Sequence, residues 1–216
     1  MDEKKIVAET EGYISSEFAI EGSGHDWFHV DRVRKLSMLI GAKEGSDPFV
    51  TEMSALLHDL DDWKIAASGV EPLHRAKEWL RRMEVSADRR IAILNVIEDI
   101  SFKGAKISTP VRSLEAAVVQ DADRLDAIGA IGIARTFAYG GHKNRLIYDP
   151  AIHPVMHDDF QAYQNSTAPT VNHFYEKLLL LKERMNTQTA VALAKERHQF
   201  MESFLEQFFN EWEAKK

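Results

Sequence analysis

A chain of 216 residues, 44% hydrophobic and 28% charged, has the composition of a folded globular protein and not of a disordered one; its length suits one domain, or a large domain with a loop insertion. A net charge of −7 argues against broad binding to a nucleic acid polymer, which shows as a basic face, but leaves room for a phosphorylated small molecule held by a cation and a few converging Lys or Arg residues. The absence of cysteine excludes disulfides, thiolate catalysis and cysteine zinc sites, and fits a reducing cytoplasm, the expected location.

Met1-Asp2-Glu3-Lys4-Lys5 leads into an amphipathic pattern and not into the apolar core of a secretory signal. Apolar residues then recur at helical spacing, with no convincing strand alternation. Ile6, Tyr13, Ile14 and Phe18 predict an opening helix, and Val30, Val33, Leu36 and Ile40 a second that Gly41 ends. Ser46-Asp47-Pro48 is a helix start, a capping side chain followed by proline in the first turn. That helix buries Phe49 or Val50, Met53, Leu56, Leu57 and Leu60. Another begins near Pro72 and runs through Trp79 and Leu80, and Ser86 caps the next, carrying Ile91, Leu94 and Ile97. Thr109-Pro110 opens a helix with Leu114, Val118, Leu125 and Ile128 on one stripe, and Gly129 and Gly132 in its continuation point to close packing against a neighbouring helix.

The uncharged run 127–134 is far too short to cross a bilayer, which needs roughly 20 residues, so no membrane partner is expected. From 140 to 170 the pattern dissolves into a long loop, the kind that often serves as a lid or binding segment. Helical spacing returns with Val171, Phe174, Leu178 and Leu181, and ends with Met201, Leu205, Phe208 and Trp212. The last helix's aromatic residues fit a homodimer interface and core packing equally well. The expected fold is all-α, a single domain over 1–216 with about seven or more helices.

Three segments carry the chemistry: Gly24-His25-Asp26-Trp27-Phe28-His29, Leu56-Leu57-His58-Asp59-Leu60-Asp61-Asp62 and Gln120-Asp121-Ala122-Asp123-Arg124-Leu125-Asp126. They offer a histidine, an adjacent His-Asp pair and a distant aspartate, enough to hold one divalent cation. Imidazoles suit transition metals and carboxylates harder cations, so manganese, iron, cobalt, nickel and magnesium all fit. His58-Asp59 follows the apolar Ala55-Leu56-Leu57 and precedes Asp61, Asp62 and Lys64. Burying so many ionisable groups without a cation or counter-charge is costly, and a solvated acidic helix end is the alternative.

His29, His58-Asp59 and Asp123, in that order, resemble the HD superfamily of metal-dependent phosphohydrolases. The likeness extends over His25-Asp26-x-x-His29-x-x-Arg32-Val33, the run from Asp121 through Ala130, and Asn172-His173-Phe174-Tyr175-Glu176-Lys177-Leu178. Together these are similar to one bacterial branch of that superfamily, described as nucleoside-triphosphate pyrophosphohydrolases or as hydrolases of undefined substrate. The resemblance implies an HD-type helical bundle whose one divalent metal is held by His29, His58, Asp59 and Asp123. Asp121, nearer the apolar stripe on a helical wheel, is then a second-layer residue that orients a ligand or water, and His25 a partner of His29 or mere helix-entry sequence.

Asp62, three residues beyond Asp59 and so about one helical turn away, is the expected general base. Lys64 and Arg124 adjoin these residues and are candidate phosphate contacts. Lys143 and Arg145 from the loop, His173 and Lys177 from the penultimate helix, and His74 are candidate substrate contacts, with surface exposure as the competing reading. His142, His153, His157 and His198 have no spacing that singles them out.

The implied reaction is attack of metal-activated water on a nucleoside triphosphate, ribo or deoxy, giving monophosphate and pyrophosphate. The Gly-Tyr-Pro signature of the two-metal cyclic-dinucleotide phosphodiesterases is absent, and Asp62 stands where they place lysine. A phosphatase or phosphodiesterase acting on another phosphoester, a non-catalytic metal and nucleotide sensor, and a helical interaction protein that binds no metal are the alternatives.

Overall fold

The computed structural model describes residues 2–19, 26–61, 72–100, 111–156 and 167–215. Among these it is all helical: α1 (Glu3–Glu17), α2 (Trp27–Glu44), α3 (Pro48–Leu57), α4 (His74–Arg82), α5 (Ala87–Ile100), α6 (Leu114–Asp126), α7 (Gly129–His142), α8 (Asn172–Glu176), a 3-10 stretch (Leu178–Arg184) and α9 (Gln188–Trp212). The helices gather in two compact units whose division falls within α6, between Ala122 and Asp123. No described helix is long and apolar enough to cross a membrane.

In the first unit α3 is the central element. Asp47 caps it by accepting the Val50 N–H at 2.9 Å, and Pro48 occupies the first turn. Phe49 and Val50 are both buried, with Met53, Ala55, Leu56 and Leu57, so the helix is covered all round. It packs against α1, α2 and α5. α2 runs through Gly41 and ends at Gly45 instead, which takes the left-handed φ of 85°. Gly41 stays helical, and a Cβ there would run into Ser46 Oγ, so its lack of a side chain serves a close approach and not a stop.

α4 begins at His74, two residues later than Pro72 suggested, and lies on α5. Its Trp79 stacks on Tyr13 of α1 at 4.0 Å and donates from Nε1 to Thr10 Oγ1 at 2.9 Å. In α5 the buried stripe is Ile93, Val96, Ile97 and Ile100; Ile91 lies outside it and is exposed. Ser113 starts α6 by accepting the Ala116 N–H at 3.1 Å, while Thr109-Pro110 lies outside the described residues.

In the second unit the helical run does not continue from α6 through Gly132 as its stripe suggested. It breaks at 127–128, where Gly129 adopts a φ of 75°, and restarts as α7. Gly129 meets a neighbouring helix as expected, with Arg197 Cγ of α9 placed 3.0 Å from where a Cβ would sit; Gly132 instead closes on the carbonyl of Ala127 in the preceding turn. α9 packs on α7 and on the 3-10 stretch, which also receives α8. The core here centres on buried Phe174, 5.9 Å from the stacked ring of Phe204 and 6.0 Å from Phe137. α7 reaches His142, so the irregular segment starts at 143; its first part is tied to the second by Thr170 N–H to Leu146 O at 2.8 Å and Val171 N–H to Ile147 O at 3.0 Å. Residues 157–166 of that loop lie outside the described set. Phe208, Phe209 and Trp212 surround the Tyr148 ring, so these three aromatic residues of the last helix are engaged within the chain, though half of Trp212 stays exposed, as does half of Phe200.

Candidate metal centre

Helix ends position the candidate metal-ligating groups of the first unit. Asp26 is the N-cap of α2 and its carboxylate accepts the His29 N–H at 2.8 Å, which sets His29 in the first turn. α3 ends at Leu57, and residues 58–61 form the turn that follows. His58 and Asp59 thus emerge where the most buried helix of the unit stops. Asp59, 6% exposed, points its two carboxylate oxygens at two rings: Oδ2 lies 3.4 Å from Nε2 of His29, and Oδ1 lies 3.4 Å from Nε2 of His58.

One potential donor atom from each of His29, His58 and Asp59 lies within 4.8 Å of the other two. Neighbouring ligands on a first-row cation, with bonds of about 2.0–2.2 Å, stand about 3.0–3.5 Å apart. Contacts of 3.4 Å match that spacing better than they match hydrogen bonds. His58 adds a tautomeric argument. Its Nδ1 bonds the Ala55 carbonyl at 2.8 Å and so carries a proton, and in the neutral imidazole this leaves the lone pair on Nε2. That Nε2 is buried and has no hydrogen-bond partner. A buried lone pair beside a buried carboxylate is what a divalent cation would satisfy, so these residues fit one.

The turn carrying the His-Asp pair is tied to α4 and α1. Asp61 accepts the backbone N–H of Arg75 at 3.2 Å and of Ala76 at 3.0 Å. Arg75 returns to the turn, donating to the Leu60 carbonyl at 3.3 Å, and also reaches Tyr13 Oη at 3.1 Å and the Glu17 carboxylate.

The second unit holds a basic cluster. Lys143 Nζ and Arg145 Cζ lie 5.6 and 5.7 Å from the centre of the Tyr139 ring. Burial, reinforced by Lys177 and Arg145, pushes His173 down to about 3, so its imidazole is neutral at physiological pH. Burial also lowers Lys177 below the usual lysine range; the Asp123 carboxylate opposes this shift while Arg135 and Arg184 add to it.

An HD-domain family model matches residues 27–128, a span that contains His29, His58, Asp59 and Asp123. The Bacillus subtilis protein YpgQ is 39% identical over 208 residues, covering 96% of this chain and 94% of its own. The chain belongs to the HD-domain family. A solved HD-superfamily hydrolase from Bacillus thuringiensis is 40% identical with a TM-score of 0.78, covering 99% of this chain and 100% of the other. The structure of B. subtilis YpgQ in complex with ADP aligns with 34% identity and a TM-score of 0.77 over 95% and 97% of the two chains. At the level the family supports, this protein is a metal-dependent phosphohydrolase.

Of the HD residues expected from sequence, the first unit brings His29, His58 and Asp59 together. Asp121 is wholly buried on α6, as its place on the helical wheel suggested, and Asp123, half-buried two residues later, falls in the second unit. Asp62, Lys64 and His25 lie outside the described residues. α3 stops at Leu57, so Asp59 lies in the turn that follows and not in the helix. Arg124 donates to the Arg184 carbonyl, and His74, at the start of α4, pairs with Glu78 at 3.5 Å. Lys143, Arg145, His173 and Lys177 share the second unit's basic cluster. Sequence reading missed Asp61 and Arg75 as partners, since a separation of 14 residues across a turn leaves no local signal. It also missed Asp126, a buried carboxylate paired with Arg135 at 2.6 Å just beyond Asp123.

Proposed function

We propose that this protein hydrolyses nucleoside triphosphates, ribo or deoxy, to monophosphate and pyrophosphate, as a single HD-type domain acting in the cytoplasm. The observation that carries the nucleotide reading is the ADP complex of YpgQ, a relative aligned over nearly the whole chain. The basic cluster of Lys143, Arg145, His173 and Lys177, in a chain of net charge −7, supports a polyphosphate ligand.

In this reading Asp123 is the fourth ligand beside His29, His58 and Asp59, and manganese is the first cation to test. A divalent cation held there would lower the pKa of a bound water and offset charge building on phosphorus. Asp62 would accept the proton of the attacking water as general base. Lys64 and Arg124 contact the phosphate at the reacting centre. Lys143, Arg145 and Lys177 hold the remaining phosphates, and His74 and the neutral ring of His173 donate or accept at the substrate's edge. His58 serves through the tautomer that its Ala55 bond selects.

Product analysis tests the proposal. Metal-stripped protein reloaded with manganese is offered ribo- and deoxynucleoside triphosphates, and products are resolved by ion-exchange chromatography beside a His58→Ala, Asp59→Ala variant. Monophosphate and pyrophosphate in equal amounts, lost in the variant, are expected. Orthophosphate as the product would move the attacked phosphorus, and no turnover of any triphosphate would overturn the substrate assignment. An Asp62→Asn variant is expected to lose about 10²–10⁴-fold in kcat.

A further inference from the structure

The His58–Asp59 turn is held both from its own helix and from outside it. α3 stops at Leu57; from it the Ala55 carbonyl bonds His58 Nδ1 at 2.8 Å, and Leu57 O accepts the Leu60 N–H at 3.1 Å. Side chains that must meet a cation within a few tenths of an ångström need more support than that.

α4 has the complementary deficit. Its N-cap residue, Leu73, makes no side-chain cap and sits in the left-handed region at φ 58°, a conformation that costs a branched L residue energy. The missing cap comes from Asp61, two residues after Asp59, whose oxygens take the N–H groups of Arg75 and Ala76 at 3.2 and 3.0 Å. Arg75 reciprocates by donating to the carbonyl of Leu60, the residue next to Asp59, while Tyr13 and Glu17 of α1 hold the same guanidinium. The contact runs both ways between residues 60–61 and 75–76, all inside one unit.

We infer that Asp61 and Arg75 form a latch that positions the His58–Asp59 turn for metal binding, so that the first turn of α4 sets the cation affinity of the site. The inference rests on the metal reading of His29, His58 and Asp59. Both are positioning residues, since neither is itself a metal ligand. Outer partners that orient metal ligands typically change affinity 10–100-fold when removed. Asp61→Ala removes both acceptors. Asp61→Asn keeps one and turns an amide donor towards an N–H, so it fails as well. Arg75→Lys keeps the charge and one contact but not the fork that spans Leu60, Tyr13 and Glu17.

The test is the Kd for Mn(II) of the full chain, measured by electron paramagnetic resonance of free Mn(II), together with the Tm of the metal-free protein. Thr187→Ala, which removes a helix cap in the other unit, serves as the stability control. Asp61→Ala, Asp61→Asn and Arg75→Ala are expected to raise the Kd 10–100-fold, with metal-free Tm losses no larger than that of Thr187→Ala. Arg75→Lys should recover part of the affinity lost in Arg75→Ala, and the Asp61→Ala, Arg75→Ala double variant should bind no more weakly than the worse single one. Folded variants that bind Mn(II) within about threefold of the unaltered chain, less than the 10–100-fold effect of such partners, would overturn the latch. Failure of the unaltered chain to bind Mn(II) is a different result, and overturns the metal reading itself.

Discussion

Asp59→Asn takes one charge out of the candidate metal centre and leaves its shape nearly unchanged. Asp59 is 6% exposed, and its oxygens stand 3.4 Å from Nε2 of both His29 and His58. In the metal-free protein a carboxylate so buried opposes folding unless its partners offset the lost hydration, so the amide should leave the metal-free Tm unchanged or raise it. A cation reverses the sign. At a hundred times its Kd it adds about 2.7 kcal/mol to the unaltered chain, or roughly 5–11 °C in Tm at about 2–4 °C per kcal/mol for a protein of this size. A variant that binds about a hundredfold more weakly keeps about 0.4 kcal/mol of that, or roughly 1–2 °C. Differential scanning calorimetry after dialysis against EDTA, and again with manganese restored, reads both quantities. Equal manganese shifts in the two proteins would refute Asp59 as a ligand. A metal-free variant that melts more than about 5 °C lower would show instead that the carboxylate is a structural group.

Three further outcomes follow from the second unit. The folded state holds His173 at about 3 against 6.5 for an unperturbed imidazole. The unfolded chain therefore binds a proton that the folded one refuses, and His173's share of stability is intact above pH 6.5 and lost as pH falls towards 3. At pH 5 this costs about 2 kcal/mol; His173→Gln should shrink the fall in urea-derived stability between pH 7 and pH 5 by that amount, and an unchanged fall would contradict the burial assigned to the ring. Phe174→Ala empties a fully buried site beside Phe204 and Phe137 and should cost about 3–5 kcal/mol in chemical denaturation, with a loss below about 1 kcal/mol arguing against the packing described. Arg145→Met should raise KM for a triphosphate about tenfold with kcat little changed, since a charged hydrogen bond to substrate is lost equally in ground and transition states; an unchanged KM would remove Arg145 from the substrate contacts.

How much was legible in advance depended on the range of the forces involved. The start of α3 was readable because Asp47 and Pro48 act within one turn, and its burial because Phe49, Met53, Leu56 and Leu57 repeat at helical spacing. The end of α2 was misplaced at Gly41 because two glycines lie four residues apart, and only the structure shows which takes positive φ and which admits Ser46. Likewise, Gly129 and Gly132 sit in an apolar run that reads as one helix until the backbone turns left-handed between α6 and α7.

The sequence by itself determined the helical class and the residues able to bind a cation, because periodicity, caps and donor chemistry are written in local order. It also carried the family resemblance, through motifs that stand at recognisable spacing. Only the tertiary structure decided that His29 and the His58–Asp59 pair converge, which ring nitrogen of a neutral His58 keeps its lone pair, and that Asp61 caps a helix 14 residues away. Those facts depend on where separate helices end in space. The end of α2 and the start of α4 are set by a close approach and by N–H groups capped from across a turn, which leave no mark at any fixed spacing along the chain.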